Sequence, residues 1–212
     1  MNILKALAII IAGGSALLGI ELHEHIHSPR WAVKTLGDGF VTREAAVQTT
    51  IEEQCALPAQ HVEESVGRLA SEKQLLVLNA NLIEAKKEFD GDYHLVLEDP
   101  TTHLRIIAEI PDASGNAPKL YKDKFMAARR VIDGLKNAPS MLGVTYAKPV
   151  PIEVTGLGFF DEAHMVTPKG MPPNFREIHP VIEVRVLPSA VPSAVPSVVP
   201  SAVLSAELSE RL

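Results

Sequence analysis

Five side chains scattered over a 212-residue chain have the types and spacings that hold metal ions. Asp161 and His164 stand three apart. Glu177 and His179 stand two apart, so in an extended strand that pair shares one face. His94 lies on a separate β-prone stretch and is the candidate to join them across a sheet. Imidazole with carboxylate suits zinc, manganese or iron, and a bound divalent ion activates water for hydrolysis. The spacing matches no compact signature such as HExxH, so the fold must supply the convergence. The competing expectation makes His94 and His179 hydrogen-bonded structural residues, with Asp161 capping the turn after Phe160.

A second set sits on a predicted strand. There His103, Arg105, Ile107 and Glu109 alternate with Leu104, Ile106, Ala108 and Ile110. Arg105 and Glu109, with His94 from the preceding strand, form a candidate ligand-binding face. A third feature is a helix expected over 118–136, with apolar Tyr121, Phe125, Ala128, Ile132 and Leu135 at helical spacing. Lys119, Lys122, Lys124, Arg129, Arg130 and Lys136 outweigh Asp123 and Asp133 there. Lys122, Arg129 and Lys136 recur every seven residues, a stripe able to meet an anionic ligand or surface, or simply a solvated face.

The elements that position these residues begin with the stretch 73–112, which reads as three strands. Leu76, Leu78, Ala80 and Leu82 alternate, and the phase slips at Ile83, as a β-bulge requires. Asp90-Gly91-Asp92 makes a tight turn. The second strand puts Tyr93, Leu95 and Leu97 on one face and His94, Val96 and Glu98 on the other. Asp99-Pro100 turns into the third. After the helix, strands are expected over 151–161 and 178–187. Gly156 and Gly158 are expected to permit bending or close backbone approach. Three strands, one helix and two strands is the connectivity of an OB-like five-stranded barrel, an α+β chain that is mainly β.

Flanking segments differ in character. Residues 1–19 carry Lys5, an apolar run and small residues, the layout of a signal peptide, so export to the periplasm, cell surface or outside is expected. The apolar run is too short to span a bilayer, so no transmembrane helix is expected once the signal is removed. Residues 20–29 form a spacer with His23, His25 and His27. The domain is expected over 30–187, where Trp31 and Val33 look like an anchor onto the barrel. Residues 188–212 repeat PSAV, an extended proline-spaced tail. A net charge of −6 and aromatic content of 5% give no strong nucleic-acid signal. The single Cys55 excludes an intrachain disulfide.

Four motifs together resemble a family of exported bacterial proteins without an assigned activity. They are Glu88-Phe-Asp-Gly-Asp-Tyr-His-Leu-Val-Leu97, Glu109-Ile-Pro-Asp112, Val154-Thr-Gly-Leu-Gly-Phe-Phe-Asp161 with His164, and Glu177-Ile-His-Pro-Val181. The likeness covers about 30–187 and implies export. Members often carry a cysteine after the EIPD-like motif, where Ala113-Ser114 stands here. The DGD turn followed by Arg105–Asp112 also resembles staphylococcal-nuclease-type barrels. That family implies two arginines for phosphate and clustered carboxylates for calcium, but a second arginine is not evident here. The reading is an exported binding or structural module with a divalent metal as candidate cofactor. The alternative is a metal-dependent hydrolase of phosphodiesterase type.

Overall fold

The structure is a computed structural model that describes residues 28–42, 44–161 and 168–188. The signal segment, the histidines of the spacer, the repeat tail and His164 lie outside the described residues.

Two short helices, α1 (Pro29–Lys34) and α2 (Ile51–Cys55), flank a two-residue strand β1 (Val47–Gln48). The long strands follow as β2 (Leu75–Lys87), β3 (Tyr93–Glu98) and β4 (Arg105–Ile110). Helix α3 (Lys119–Asp133) then leads to β5 (Val144–Phe160) and β6 (Arg176–Val186). The chain is mainly β with few helices. β2 pairs with β3, β3 with β4, β4 with β6, β6 with β5, and β5 returns to β2, so the mixed sheet forms a ring. Among the described residues, only β4–β6 and the β1–β2 stub are parallel.

Alternation decides what each strand buries. Leu76, Leu78, Ala80 and Leu82 enter the core from β2, and Ala85 resumes after a register shift between Leu82 and Glu84 on both sides of the strand. Tyr93, Leu95 and Leu97 join from β3, and Ile106, Ala108 and Ile110 from β4. Helix α3 adds Tyr121, Phe125, Ala128 and Ile132, one face at helical spacing.

The other face of β3, β4 and β6 is also covered. Val96, Ile107 and Phe159 are buried outside the main core. Gly170 presses on Val96 so closely that a Cβ there would sit 2.6 Å from Val96 Cγ1. Helix α1 is pinned over this outer layer. Ser28 caps it, accepting from the Trp31 N–H at 3.0 Å. Arg30 donates to both Glu72 oxygens at 2.7 and 3.0 Å and to the Phe160 carbonyl at 2.7 Å. Glu72 also accepts from the Phe160 and Leu69 amides, at 3.0 and 2.8 Å.

Several expectations are corrected here. β5 begins at Val144, seven residues before the expected start. Beside the β1 stub, Thr50 and Glu53 form a capping box that starts α2 at Ile51. Helix α3 runs from Lys119 to Asp133, inside the expected 118–136. The basic stripe of α3 is broken, since Arg129 turns inward, stacks 3.7 Å over Tyr93 and donates to the carbonyls of Gly91, Ile110 and Pro111.

Candidate metal centre

The period of two places a polar cluster on the covered outer face. On β3 that phase carries His94 and Val96, and Asp92 precedes them in the same phase. On β4 it carries Ile107 and Glu109, and on β6 Glu177 and His179. His94 lies directly opposite Glu109 in the antiparallel ladder, and Ile107 lies opposite Glu177 in the parallel one. Advancing two residues along both parallel strands brings Glu109 beside His179.

Two carboxylates of the cluster, Asp92 and Glu109, have one oxygen fixed and the other facing His179. Asp92 Oδ1 accepts from the Asp112 amide at 2.7 Å, which leaves Oδ2 at 3.6 Å from His179 Nε2. Glu109 Oε1 meets His94 Nδ1 at 2.8 Å, which leaves Oε2 at 3.2 Å from His179 Nδ1. Glu177 Oε2 stands 3.6 Å from the same nitrogen. The His179 ring is 0% exposed, Asp92 2% and the Glu109 side chain 12%. Yet neither ring nitrogen, nor Asp92 Oδ2, makes a properly directed hydrogen bond. Buried polar atoms are rarely left so. Asp92, Glu109 and His179 each offer a ligand atom, all within 4.8 Å of one another. Phe159 lies tilted against the imidazole, ring centres 5.6 Å apart.

The electrostatics follow from crowding in a dry place. Burial alone would push the His179 imidazolium down, but Glu109, Asp92 and Glu177 outweigh it and raise its pKa to about 9. Burial pushes Glu109 up, but His179, His94 and Lys34 overcome it and hold it at about 2. Glu177 goes the other way, to about 7, because burial adds to repulsion from Asp161 and Glu109. His94 is raised as well, the bond to Glu109 overcoming its burial. Lys34 is also raised, since Glu109, Asp161, Glu177 and Asp92 together outweigh its burial.

Of the residues singled out from sequence, His94, Glu109, Glu177 and His179 come together, and Asp161 is close enough to act on Glu177 and Lys34. His164 is outside the described residues. Arg105 stays apart. It lies at the opposite end of β4 from Glu109 and pairs with Glu98 at 2.8 Å, where His103 also binds. An exposed face shared by Arg105 and Glu109 is therefore corrected, because α1 and the residues around Gly170 cover the sheet where Glu109 lies. Two members were not expected. Asp92 looked like a turn residue, although it stands in phase with His94. Lys34 lies in a segment that carried no functional signal.

No family model matches the chain, and no curated protein matches it. Among solved structures it is similar to Entamoeba histolytica asparaginyl-tRNA synthetase, with a TM-score of 0.37 and 11% identity over 68% of this chain and 24% of that one. The same enzyme in complex with asparaginyl-adenylate gives a TM-score of 0.33 and 12% identity over 61% and 23% of the two chains. The chain thus spans about a quarter of the synthetase's length. Neither likeness carries an inference about this chain.

Proposed function

We propose that this chain is an exported, OB-like domain that binds a divalent transition-metal ion through Asp92, Glu109 and His179. The ring order β2-β3-β4-β6-β5, closed by β5 on β2, supports the OB-like barrel reading, with α3 between the third and fourth long strands. The observation that carries the metal is the closeness of three ligand atoms, one each from Asp92, Glu109 and His179, all within 4.8 Å of one another at a fully buried imidazole that lacks a directed hydrogen bond. Asp92 Oδ2 faces Nε2 of that ring and Glu109 Oε2 faces Nδ1, so one ion would take one of the two nitrogens. The 3.6 Å between His179 Nε2 and Asp92 Oδ2 is long for a hydrogen bond. It is near the edge, about 3.3 Å, of a tetrahedron of ligands around zinc.

One imidazole with carboxylate oxygens suits zinc or manganese. Asp92, Glu109 and His179 would hold the ion. His94 would orient Glu109, as outer partners of metal ligands do. A bound ion would supply fixed positive charge to a carboxylate-rich pocket. The site's depth favours holding an ion over hydrolysis, since a catalytic centre keeps a coordination position open to substrate. The four motifs that resemble exported bacterial proteins contribute Asp92 and His94, Glu109, Asp161, and Glu177 with His179. Family membership and export belong to the same proposal.

The test is metal content of the full chain, purified without an affinity tag, stripped with chelator and reloaded with zinc or manganese. One equivalent lost in Asp92→Asn, with the circular dichroism spectrum unchanged, supports the assignment. Equal metal in both proteins sinks it, and would move any bound ion to other groups such as the spacer histidines.

A further inference from the structure

Helix α1 carries two cations on one face. Lys34 stands four residues after Arg30, about one turn on, so both project to the same side. Arg30 is already engaged. Its guanidinium binds Glu72 and the Phe160 carbonyl, and lies 4.1 Å from the centre of the Phe159 ring. Lys34 continues the same face, its ammonium 5.2 Å from the centre of the Trp31 ring. Together with Arg30, Trp31, Glu64, Phe159 and Asp161 it lines a cavity of about 10 Å³, room for a single water. Phe159 forms one wall of that cavity and lies against the His179 ring, centres 5.6 Å apart.

Lys34 is therefore a neighbour of the metal centre without being one of its ligands. Its charge is shared by four carboxylates, Glu109, Asp161, Glu177 and Asp92, whose attraction outweighs its burial. Two of these, Asp92 and Glu109, are the carboxylates that would hold the ion. The ammonium and the ion thus draw on the same negative charge.

We propose that Lys34 is the resident counter-cation of the metal site, balancing its carboxylates when no ion is bound and thereby setting how tightly an ion is held. The inference rests on the metal reading above. A divalent ion that enters displaces the His179 proton, so the site gains one net positive charge beside the ammonium. Repulsion between that charge and Lys34 opposes loading, while attraction to the carboxylates stabilises the metal-free protein. The two effects differ in sign, and a lysine that merely packs would not produce that pattern. One unit of charge acting across about 10 Å at an effective dielectric of about 20 is worth roughly tenfold in affinity.

The deciding experiment is a zinc titration of the full chain against a chromophoric chelator, with thermal melts of each metal-free form. The proteins compared are the parent, Lys34→Met and Lys34→Arg, and Asp92→Asn reports zinc held by any other groups. Lys34→Met keeps an apolar stem and loses the charge. The expected result is zinc held roughly tenfold more tightly by Lys34→Met, whose metal-free form melts lower than the parent. Lys34→Arg should stay close to the parent in both measurements. Lys34→Gln carries the same expectation as Lys34→Met and replaces it if that variant fails to fold. A folded, uncharged variant that binds zinc no more tightly than the parent overturns the inference and leaves the site of Asp92, Glu109 and His179 standing. A parent that binds no zinc, or zinc that Asp92→Asn leaves in place, removes the metal reading and this inference with it.

Discussion

Glu109 is the charge on which the cluster rests, and replacing it separates the electrostatic account from mere packing. Its carboxylate touches His94 at 2.8 Å and His179 at 3.2 Å, and is held at about 2 against an ordinary value of 4.5. A lowered carboxylate adds stability that is fully present above the unfolded value and is lost as pH falls through the folded one. The window is therefore about pH 4.5 down to about pH 2. A shift of that size corresponds to roughly 3 kcal/mol at neutral pH. Glu109→Gln keeps the shape and one acceptor, so roughly 3 kcal/mol is an upper bound for its cost. In a domain of this size that is a fall in Tm of up to about 10 °C. Urea titrations of metal-free wild type and variant, at pH 7 and at pH 3, read the effect. The variant should be markedly weaker at pH 7, and the gap should narrow at pH 3. A variant equal to wild type at pH 7, or a gap that persists undiminished in acid, would refute the reasoning.

Three further outcomes follow from other parts of the molecule. His179 is held at about 9 against 6.5, and Glu177 at about 7 against 4.5. Both raised groups lose their contribution as pH rises, so the metal-free protein should become less stable from about pH 5 to about pH 9. Thermal melts in chelator that show flat or rising stability would contradict this. Arg30→Ala leaves Glu72, 0% exposed, without its cation and should cost about 3–5 kcal/mol. A urea midpoint within error of wild type would remove the pinning role given to that pair. At Gly158 a Cβ would collide with the Arg176 guanidinium, so Gly158→Ala should destabilise by about 1–3 kcal/mol. An unchanged midpoint would show that Arg176 moves aside freely.

Much of the sheet was legible because alternation is a local property. The inward sets of β3 and β4, the slip at Ile83 and the pairing of Glu177 with His179 on one face all follow from residues within a strand's length. β5 was harder to delimit. Its expected start lay at 151, but the ladder with β2 reaches back to Val144, passing from Thr145 to Val150 over an unpaired stretch that holds Pro149. The site was half legible for a related reason. His94, Glu109, Glu177 and His179 share the outer phase of their strands, yet that phase looked solvent-facing. Its cover comes from α1, pinned by the Arg30–Glu72 pair between residues 42 positions apart, and nothing local announces that contact. Arg129 misled in the opposite sense. Its heptad spacing with Lys122 and Lys136 suggested a solvated stripe, while its partners are carbonyls on other elements. Asp92 was hidden by its turn. The same residue that closes a hairpin also stands in register with the site.

The measurement closest to the central claim is X-ray absorption at the zinc edge on the reloaded full chain. The account predicts a first shell of nitrogen and oxygen at about 2.0–2.1 Å with scattering from one imidazole, lost in His179→Ala. A shell of several imidazoles, unchanged by that substitution, would place the metal elsewhere and leave the buried cluster a network of ion pairs alone.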